Sequence, residues 1–198
     1  MSSKPYSAAC ERNREPILGV LRGVFAGSRQ VLEIGSGTGQ HAVHFAAALP
    51  WLRWQCADRE ENLPGIRAWL DEAALPNTPA PLPLDVATGP WPAMPFDAVF
   101  SANTLHIMSW AEVQQMFDGI GRVLGAGGVV AIYGPFNIDG RFSSESNAAF
   151  DAALRAAVPH RGIRDRAAVA DLAAAQGLQL QADHALPANN RLLVFVRG

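Results

Sequence analysis

The sequence contains few cysteines, the residues on which disulfide-linked and zinc-bound small domains depend. Its 198 residues include two cysteines, Cys10 and Cys56, and Cys56 lies within an apolar segment. Their separation excludes a disulfide framework and a zinc-binding pattern, and it favours a reducing compartment, so a cytoplasmic location is expected. His41 and His44 share a predicted helix face without an Asp, Glu or Cys partner at ligand spacing, so no metal site is expected.

An excess of charge is also missing. Lys and Arg number 16 against 18 Asp and Glu, which gives a net charge of -2. A balanced charge of this kind gives no reason to expect a nucleic acid as the main partner, so a small molecule is the expected partner. The first twenty residues carry charges throughout, and no apolar run is long enough to span a bilayer, so neither a signal peptide nor a membrane segment is expected.

A short apolar run that breaks into three alternating glycines is the most informative stretch present. Residues 31–34 are β-branched or apolar apart from Glu33, and Gly35, Gly37 and Gly39 follow, with Ser36 between the first two. This pattern predicts a strand, a tight turn and a helix whose unpaired amides face a ligand. The geometry is typical of a nucleotide-binding floor.

Alternating strand and helix patterns predict an α/β fold in a single domain over residues 1–198. Strands are expected near residues 30–34, 52–58, 96–101, 129–133, 178–182 and 192–196, and helices near 14–25, 40–49, 63–70, 109–123, 147–157 and 165–175. The proline-rich segment 76–85 is expected to hold an edge strand, since proline cannot donate to a ladder. Residues 1–28 are expected to form an N-terminal helix and lid, residues 134–177 a substrate-side excursion, and the last two strands an antiparallel hairpin.

Ligands of open α/β sheets bind beyond the carboxyl ends of the strands, so the residues that end each strand are expected to share one crevice. These residues are Gly35, Asp58, Asp85, Asn103 and Tyr133. Asp58 could accept hydrogen bonds from a ribose with Arg59 beside it, and the pair Asp85 and Val86 could contact an adenine. The alternative for either aspartate is an ordinary turn or helix cap.

At these residues the chain resembles the class I S-adenosylmethionine-dependent methyltransferases: residues 31–39 resemble their first motif, Asp58 the ribose acid and Asp85 the adenine contact. The resemblance implies a three-layer Rossmann-like fold whose seven-stranded, mostly parallel sheet has an antiparallel last strand. It also implies S-adenosylmethionine as cofactor and S-adenosylhomocysteine as product. More narrowly, the chain is similar to the methyltransferase-like 26 type family through residues 11–17, 133–137, 144–147 and 187–190.

The resemblance assigns a cofactor-binding set, which is Arg12, Asn13, Glu33, Gly35, Ser36, Gly37, Gly39, Asp58, Arg59, Asp85, Val86 and Asn103. Arg12 either pairs with the methionyl carboxylate or lies at a solvated helix terminus. Glu33 places an acid beside the loop, where a methionyl ammonium is tolerated and a pyrophosphate is repelled.

Candidates for chemistry follow the fourth and fifth strands. His106 could remove a proton from a nucleophile near neutral pH, and Tyr133 could orient that nucleophile. The alternative for His106 is a histidine packed in the core without a catalytic role. The alternative for Tyr133 is a residue that simply ends a buried strand. Candidate substrate contacts are Phe136, Asn137, Asn147 and Asn189. Three arginines, at positions 161, 164 and 166, either form a solvated basic face or contact an anionic substrate.

These observations predict a methyltransferase that acts on a small polar molecule at O, N or S. One alternative is a protein that binds S-adenosylmethionine and regulates a partner without turnover. The other is an NAD-dependent dehydrogenase, which is disfavoured because its fingerprint needs a glycine at position 40, where this chain has Gln40. The oligomeric state is left open.

Overall fold

The computed structural model describes residues 4–198, so residues 1–3 of the predicted N-terminal segment lie outside the described residues. The helices are α1 Ala8–Val24, α2 Gln40–Ala48, α3 Leu63–Ala73, α4 Trp110–Val123, α5 Glu145–Ala157 and α6 Arg166–Ala175. The strands are β1 Gln30–Ile34, β2 Arg53–Asp58, β3 Leu82–Pro83, β4 Phe96–Ala102, β5 Leu124–Gly134, β6 Phe136–Asn137, β7 Arg164–Asp165, β8 Leu178–Leu186 and β9 Asn190–Arg197.

Seven of these strands form one sheet in the order β3-β2-β1-β4-β5-β9-β8. The strands β1 to β5 pair in parallel, whereas β9 runs antiparallel to both of its neighbours, β5 and β8. The predicted α/β fold with a mostly parallel sheet and an antiparallel last strand is therefore confirmed. Strands β6 and β7 form a separate short parallel pair within the excursion.

Helices cover both faces of the sheet because its central strands are apolar on both sides. In β4, Ala98 and Phe100 belong to a core packed against α1, α2 and α3, whereas Val99 belongs to a second core packed against α4 and α6. Successive side chains of a strand point to opposite faces, so one strand contributes to both cores. The result is three layers, as predicted.

The proline-rich segment forms the edge of the sheet, as its composition predicts. Strand β3 has two residues and pairs in parallel with the end of β2, where Pro83 lies opposite Asp58. A proline is tolerated at this position because the outer side of an edge strand has no ladder partner.

The elements at the two chain ends are longer than the sequence predicts. Helix α1 begins at Ala8, because the Ser7 side chain caps it by accepting from the Cys10 amide. Strands β8 and β9 stay paired up to Leu186 and Asn190. Between them Ala188 and Asn189 are left-handed, with φ of 59° and 56°, which allows a tight hairpin turn that keeps the ladder paired to its tip.

Candidate functional site

An open cavity of ≈ 1490 Å³ lies at the carboxyl ends of β1, β2, β4 and β5. The sequence predicted that the residues ending these strands meet at this end of the sheet. The predicted residues that line the cavity are Arg12, Asn13, Gly35, Ser36, Gly37, Asp58, Arg59, Val86, Asn103, His106, Tyr133 and Asn147. The predicted residues outside its lining are Glu33, Gly39, Asp85, Phe136, Asn137 and Asn189.

The three loop glycines face three different surroundings, although all have positive φ. A Cβ at Gly35 would collide with the methyl group of Thr104, and one at Gly39 would come within 3.2 Å of the α3 backbone. A Cβ at Gly37, whose φ is 59°, would have none of the surrounding atoms within 4 Å. Gly37 therefore leaves room for a ligand against the main chain, whereas the other two glycines permit close packing.

Asp58 ties the end of β2 to the glycine loop. One carboxylate oxygen accepts from the Gly37 amide at 2.6 Å, and the other accepts from the Arg59 amide at 2.7 Å and the Asn62 side chain at 2.8 Å. A carboxylate offers about four acceptor sites, so one is left for a ligand hydroxyl. Asn62 was not predicted, although it follows Asp58 at one-helical-turn spacing.

Asp85 forms a turn next to the cavity. Its Oδ1 accepts from the amides of Ala87 and Thr88, at 2.8 and 3.3 Å. The next residue, Val86, lines the cavity, and Arg59 lies between Asp85 at 3.6 Å and Glu112 at 3.0 Å. Asp85 therefore lies outside the cavity lining and contacts Arg59, which is part of the lining, and Val86 provides apolar surface there.

Helix α1 closes the cavity from the side of β5. The Oδ1 atom of Asn13 lies 2.7 Å from Nε2 of His41, and burial lowers the pKa of His41 to about 4, so this imidazole is neutral. Burial raises the pKa of Tyr133, and a hydrogen bond with Asn13 and the charge of Arg12 oppose that rise. Within residues 4–198 no carboxylate pairs with Arg12, which lines the cavity as a free cation.

Glu33 lies inside the core that faces α1 to α3. Only 2% of it is exposed, and its Oε2 accepts from the indole Nε1 of Trp54 at 3.0 Å and from the Cys56 thiol at 3.8 Å. Burial raises its pKa to about 7, against the lowering effect of the Trp54 hydrogen bond. A direct ligand contact is therefore not available to this side chain, although its charge is close to the loop.

We expect Glu33→Gln to remove a pH dependence of stability. A folded-state pKa of about 7 against 4.5 means that the Glu33 contribution is full below pH 4.5 and is lost as pH rises to 7. This loss amounts to at most about 3 kcal/mol of unfolding free energy. Denaturant titrations at pH 5 and pH 8 measure the change in unfolding free energy between the two pH values, and this change should be less favourable in the unaltered protein than in Glu33→Gln by about 3 kcal/mol. The buried histidines His41 and His106, whose pKa values of about 4 act in the opposite direction, contribute equally to both proteins.

The exposed acid Glu60, replaced in Glu60→Gln, is the control for this experiment. Glu60→Gln should keep the full difference in unfolding free energy between the two pH values. If Glu33→Gln keeps it as well, Glu33 is not the group that titrates.

The far side of the cavity is formed by the segment after β4 and by α5. Asn103 has a left-handed φ of 59°, and its amide donates to the carbonyl of Tyr133. His106 is 7% exposed, and its ring lies edge-on to Phe150 with centroids 5.3 Å apart. Within residues 4–198 no group hydrogen-bonds either ring nitrogen of His106, so the imidazole is available to a ligand.

The predicted substrate contacts fall into two groups. Asn147 is 6% exposed and lines the cavity, and its Nδ2 donates to Ser143 and to the carbonyl of Asn189. Both of its amide hydrogens are therefore used, and its Oδ1 is left to accept from a ligand. The other three predicted contacts do not line the cavity. Phe136 is a core residue, Asn137 has a buried Oδ1 without a partner among residues 4–198, and the carbonyl of Asn189 accepts a hydrogen bond from Asn147.

The three arginines of the excursion separate into three roles. Arg164 donates to the carbonyls of Leu105 and His160, at 3.1 and 3.0 Å, and Arg166 pairs with Asp183 at 2.8 Å. Arg161 alone of the three lines the cavity. Spacing in sequence could not distinguish them, because partners such as Asp183 are distant along the chain.

No helix within residues 4–198 is both long and apolar enough to cross a membrane.

The comparisons with known proteins agree with this geometry. A family model described as "Protein of unknown function (DUF938)" matches residues 4–197. The structure is similar to an O-methyltransferase family protein from Burkholderia thailandensis, with a TM-score of 0.84 at 19% identity over 96% of this chain and 57% of that one. It is also similar to the S-adenosylmethionine-dependent methyltransferase SibL, with a TM-score of 0.80 at 25% identity over 96% and 56%.

Human N-acetylserotonin methyltransferase in complex with SAM is a further similar structure, with a TM-score of 0.76 at 14% identity over 96% of this chain and 53% of that one. The fold is therefore that of the class I methyltransferases, as the sequence predicts. The chain spans a little over half the length of these structures.

Proposed function

Since the chain belongs to the DUF938 family, whose description names no reaction, we propose from the site itself that the protein is an S-adenosylmethionine-dependent methyltransferase acting on a small polar molecule. The observation that carries the proposal is the open space in front of Gly37, next to a carboxylate at the end of β2. This combination allows a nucleoside to lie against the loop while Asp58 accepts a ribose hydroxyl.

The residues of the cavity fit this cofactor along its whole length. Val86 and Arg59 would contact the adenine, Asp58 the ribose, and Gly37 the methylene chain between the sulfur and the amino-acid group. The unpaired cation Arg12 would bind the methionyl carboxylate, with Asn13 and Ser36 as neighbouring polar groups. Asn103 would face the same end of the cofactor.

When bound, S-adenosylmethionine supplies a methyl carbon, and the electrons of its carbon–sulfur bond stay on sulfur to give S-adenosylhomocysteine. The chain has to align the acceptor and exclude water. His106 is placed to take the proton of a hydroxyl or amine acceptor, because its ring is neutral and free of protein partners among residues 4–198. Tyr133 would orient the acceptor from the end of β5.

The finer assignments are part of the same proposal. We include in it the similarity to the methyltransferase-like 26 type family, a single domain over residues 1–198 and a cytoplasmic location, which the sequence motifs and the cysteine usage support. Phe136 and Asn137 would shape the acceptor side from behind the cavity wall, and Asn189 would do so through Asn147.

We expect the pure protein to bind S-adenosylhomocysteine and Gly37→Ala to weaken that binding about tenfold, because the added methyl occupies the open space. Isothermal titration calorimetry measures this affinity. Gly127→Ala is the matched control, since Gly127 also has an open Cβ position and a φ of 69° but lies outside the cavity. Both variants should lose about 1 kcal/mol of unfolding free energy from the left-handed backbone.

Two results would redirect the proposal. Binding of NAD without binding of S-adenosylmethionine or its product would favour the dehydrogenase. Binding of the cofactor without transfer of labelled methyl to any component of a metabolite extract or a macromolecule screen would favour the regulatory binding protein.

A further inference from the structure

The cavity is electrically asymmetric. Asp58 and Glu61 line the part where the nucleoside is proposed to bind, and Glu112, which pairs with Arg59, lies between this part and His160. We call the other part the acceptor half, which comprises the lining residues within 103–108, 133–135, 146–150, 160–161 and 187–190. Among the described lining residues of the acceptor half there is no Asp or Glu.

Arg161 gives the acceptor half a positive charge. Its side chain lines the cavity, no carboxylate within residues 4–198 pairs with it, and its buried Nε has no hydrogen-bond acceptor there. The neighbouring Arg155, by contrast, pairs with Asp151 at 2.7 Å. A half-buried guanidinium without an acceptor is unfavourable until an anion binds it, and a carboxylate matches its fork of donors.

The same half offers apolar surface to a flat ligand. Phe150 and Ile107 both line the cavity, and 41% and 44% of their surfaces are exposed. Phe150 also holds the His106 ring edge-on, so a planar group stacked beside Phe150 lies next to the imidazole. Asn147 adds one amide oxygen as an acceptor at this place.

We propose that the methyl acceptor is a small aromatic hydroxy acid, whose carboxylate pairs with Arg161 and whose hydroxyl faces His106. This inference rests on the proposed methyltransferase function and names the substrate class of that site. The hydroxyl oxygen forms the new bond to the methyl carbon, the sulfonium becomes a thioether, and the hydroxyl proton passes to His106 and then to water.

The test compares ortho-, meta- and para-hydroxybenzoate with the corresponding neutral amides, by calorimetric titration of the protein saturated with S-adenosylhomocysteine. At least one acid should bind about tenfold more tightly than its amide, because only the acid can pair with the guanidinium. Arg161→Gln should reduce this preference to about twofold or less. Arg141→Gln removes an exposed arginine of the same excursion that lies outside the cavity and should leave the preference unchanged.

Three results would overturn the inference: equal binding of acid and amide, a preference that survives in Arg161→Gln, or no binding of any of the acids at about 10 mM. Binding of S-adenosylhomocysteine is measured first and separately. If that binding is absent, the proposed function fails, whereas cofactor binding without a preference for the acid contradicts only the substrate class.

Discussion

Replacing His106 with glutamine is expected to lower kcat for methyl transfer to a hydroxyl acceptor by about two to three orders of magnitude. The imidazole lines the acceptor half and makes no hydrogen bond to another residue of the described chain. An amide of similar size fills the same space and cannot take a proton at neutral pH. The affinity for S-adenosylhomocysteine and the free energy of unfolding should stay close to those of the unaltered protein, because glutamine retains most of the packed volume and the ring makes no hydrogen bond that would be lost.

The pH dependence of the rate separates catalysis by His106 from a purely structural role. Burial, and then the charges of Arg164 and Arg161, lower the pKa of His106 to about 4. The base is therefore already free above pH 5, and kcat/KM should fall only as pH drops toward 4. In Arg161→Gln one of the lowering charges is gone, so the fall should begin at a higher pH.

A histidine outside the cavity provides the control for His106. His184 lies in β8, and His184→Gln should leave kcat and its pH profile unchanged. A fall in kcat/KM centred near pH 6.5 would contradict the assigned environment of His106. An equal loss of cofactor affinity, stability and rate in His106→Gln would indicate that the ring only supports the fold.

The fold could be predicted from the sequence because its strong signals are local and agree with one another. The alternation around Trp54 in β2, the helical spacing of Ile66 and Leu70 in α3, and the capping box from Ser109 to Glu112 each describe a few neighbouring residues. Even the prolines before Asp85 predicted the edge strand, since an edge is where they are tolerated.

The site could be predicted as far as strand ends determine it. Asp58, Asn103 and Tyr133 meet at one cavity because parallel strands end at one edge of the sheet. The direction of a side chain depends on the hydrogen-bond donors around it, which the sequence does not reveal. Asp85 was expected in the crevice, but its carboxylate accepts from the amides of its own turn and lies outside the cavity lining. Glu33 was predicted as a cofactor-binding residue beside the loop. It has the strand parity of Val31, so its side chain points into the core beneath α1 to α3 and bonds to Trp54.

The acceptor half was harder to predict because residues distant in sequence form it. Arg161 follows α5, Phe150 belongs to α5, and Ala188 belongs to the hairpin turn between β8 and β9. None of these residues belongs to a local sequence motif. Whether Arg161 is free to bind a ligand depends on the fold, which pairs Arg155 with Asp151 and Arg166 with Asp183 and leaves Arg161 unpaired within residues 4–198. The sequence indicates that this region is polar, but it does not indicate which arginine lacks a carboxylate partner.

The second large effect is expected from Asp58→Ala, which should weaken binding of S-adenosylhomocysteine about a hundredfold. The substitution removes the acceptor proposed for a ribose hydroxyl. It also frees the Gly37 amide, which the carboxylate holds at 2.6 Å, so the glycine loop loses the bond that fixes it against β2. Calorimetric titration measures the affinity, and denaturant unfolding should show a loss of about 1–3 kcal/mol from the unpaired donors.

Asp97→Ala separates the loss of backbone caps from the loss of a ligand contact. Asp97 lies at the amino-terminal end of the central strand β4, at the opposite end of the strands from the cavity, where its carboxylate accepts from the amides of Arg29 and Gln30 at 2.8 and 2.9 Å. Both variants should lose stability, because each leaves backbone donors without their carboxylate. The loss in Asp97→Ala should be the smaller one, since water reaches the freed amides of Arg29 and Gln30. Only Asp58→Ala should lose cofactor affinity. If the two variants bind S-adenosylhomocysteine equally well, the carboxylate at the end of β2 is a structural cap, and the ribose contact has to be sought at Glu61 or Asn62 instead.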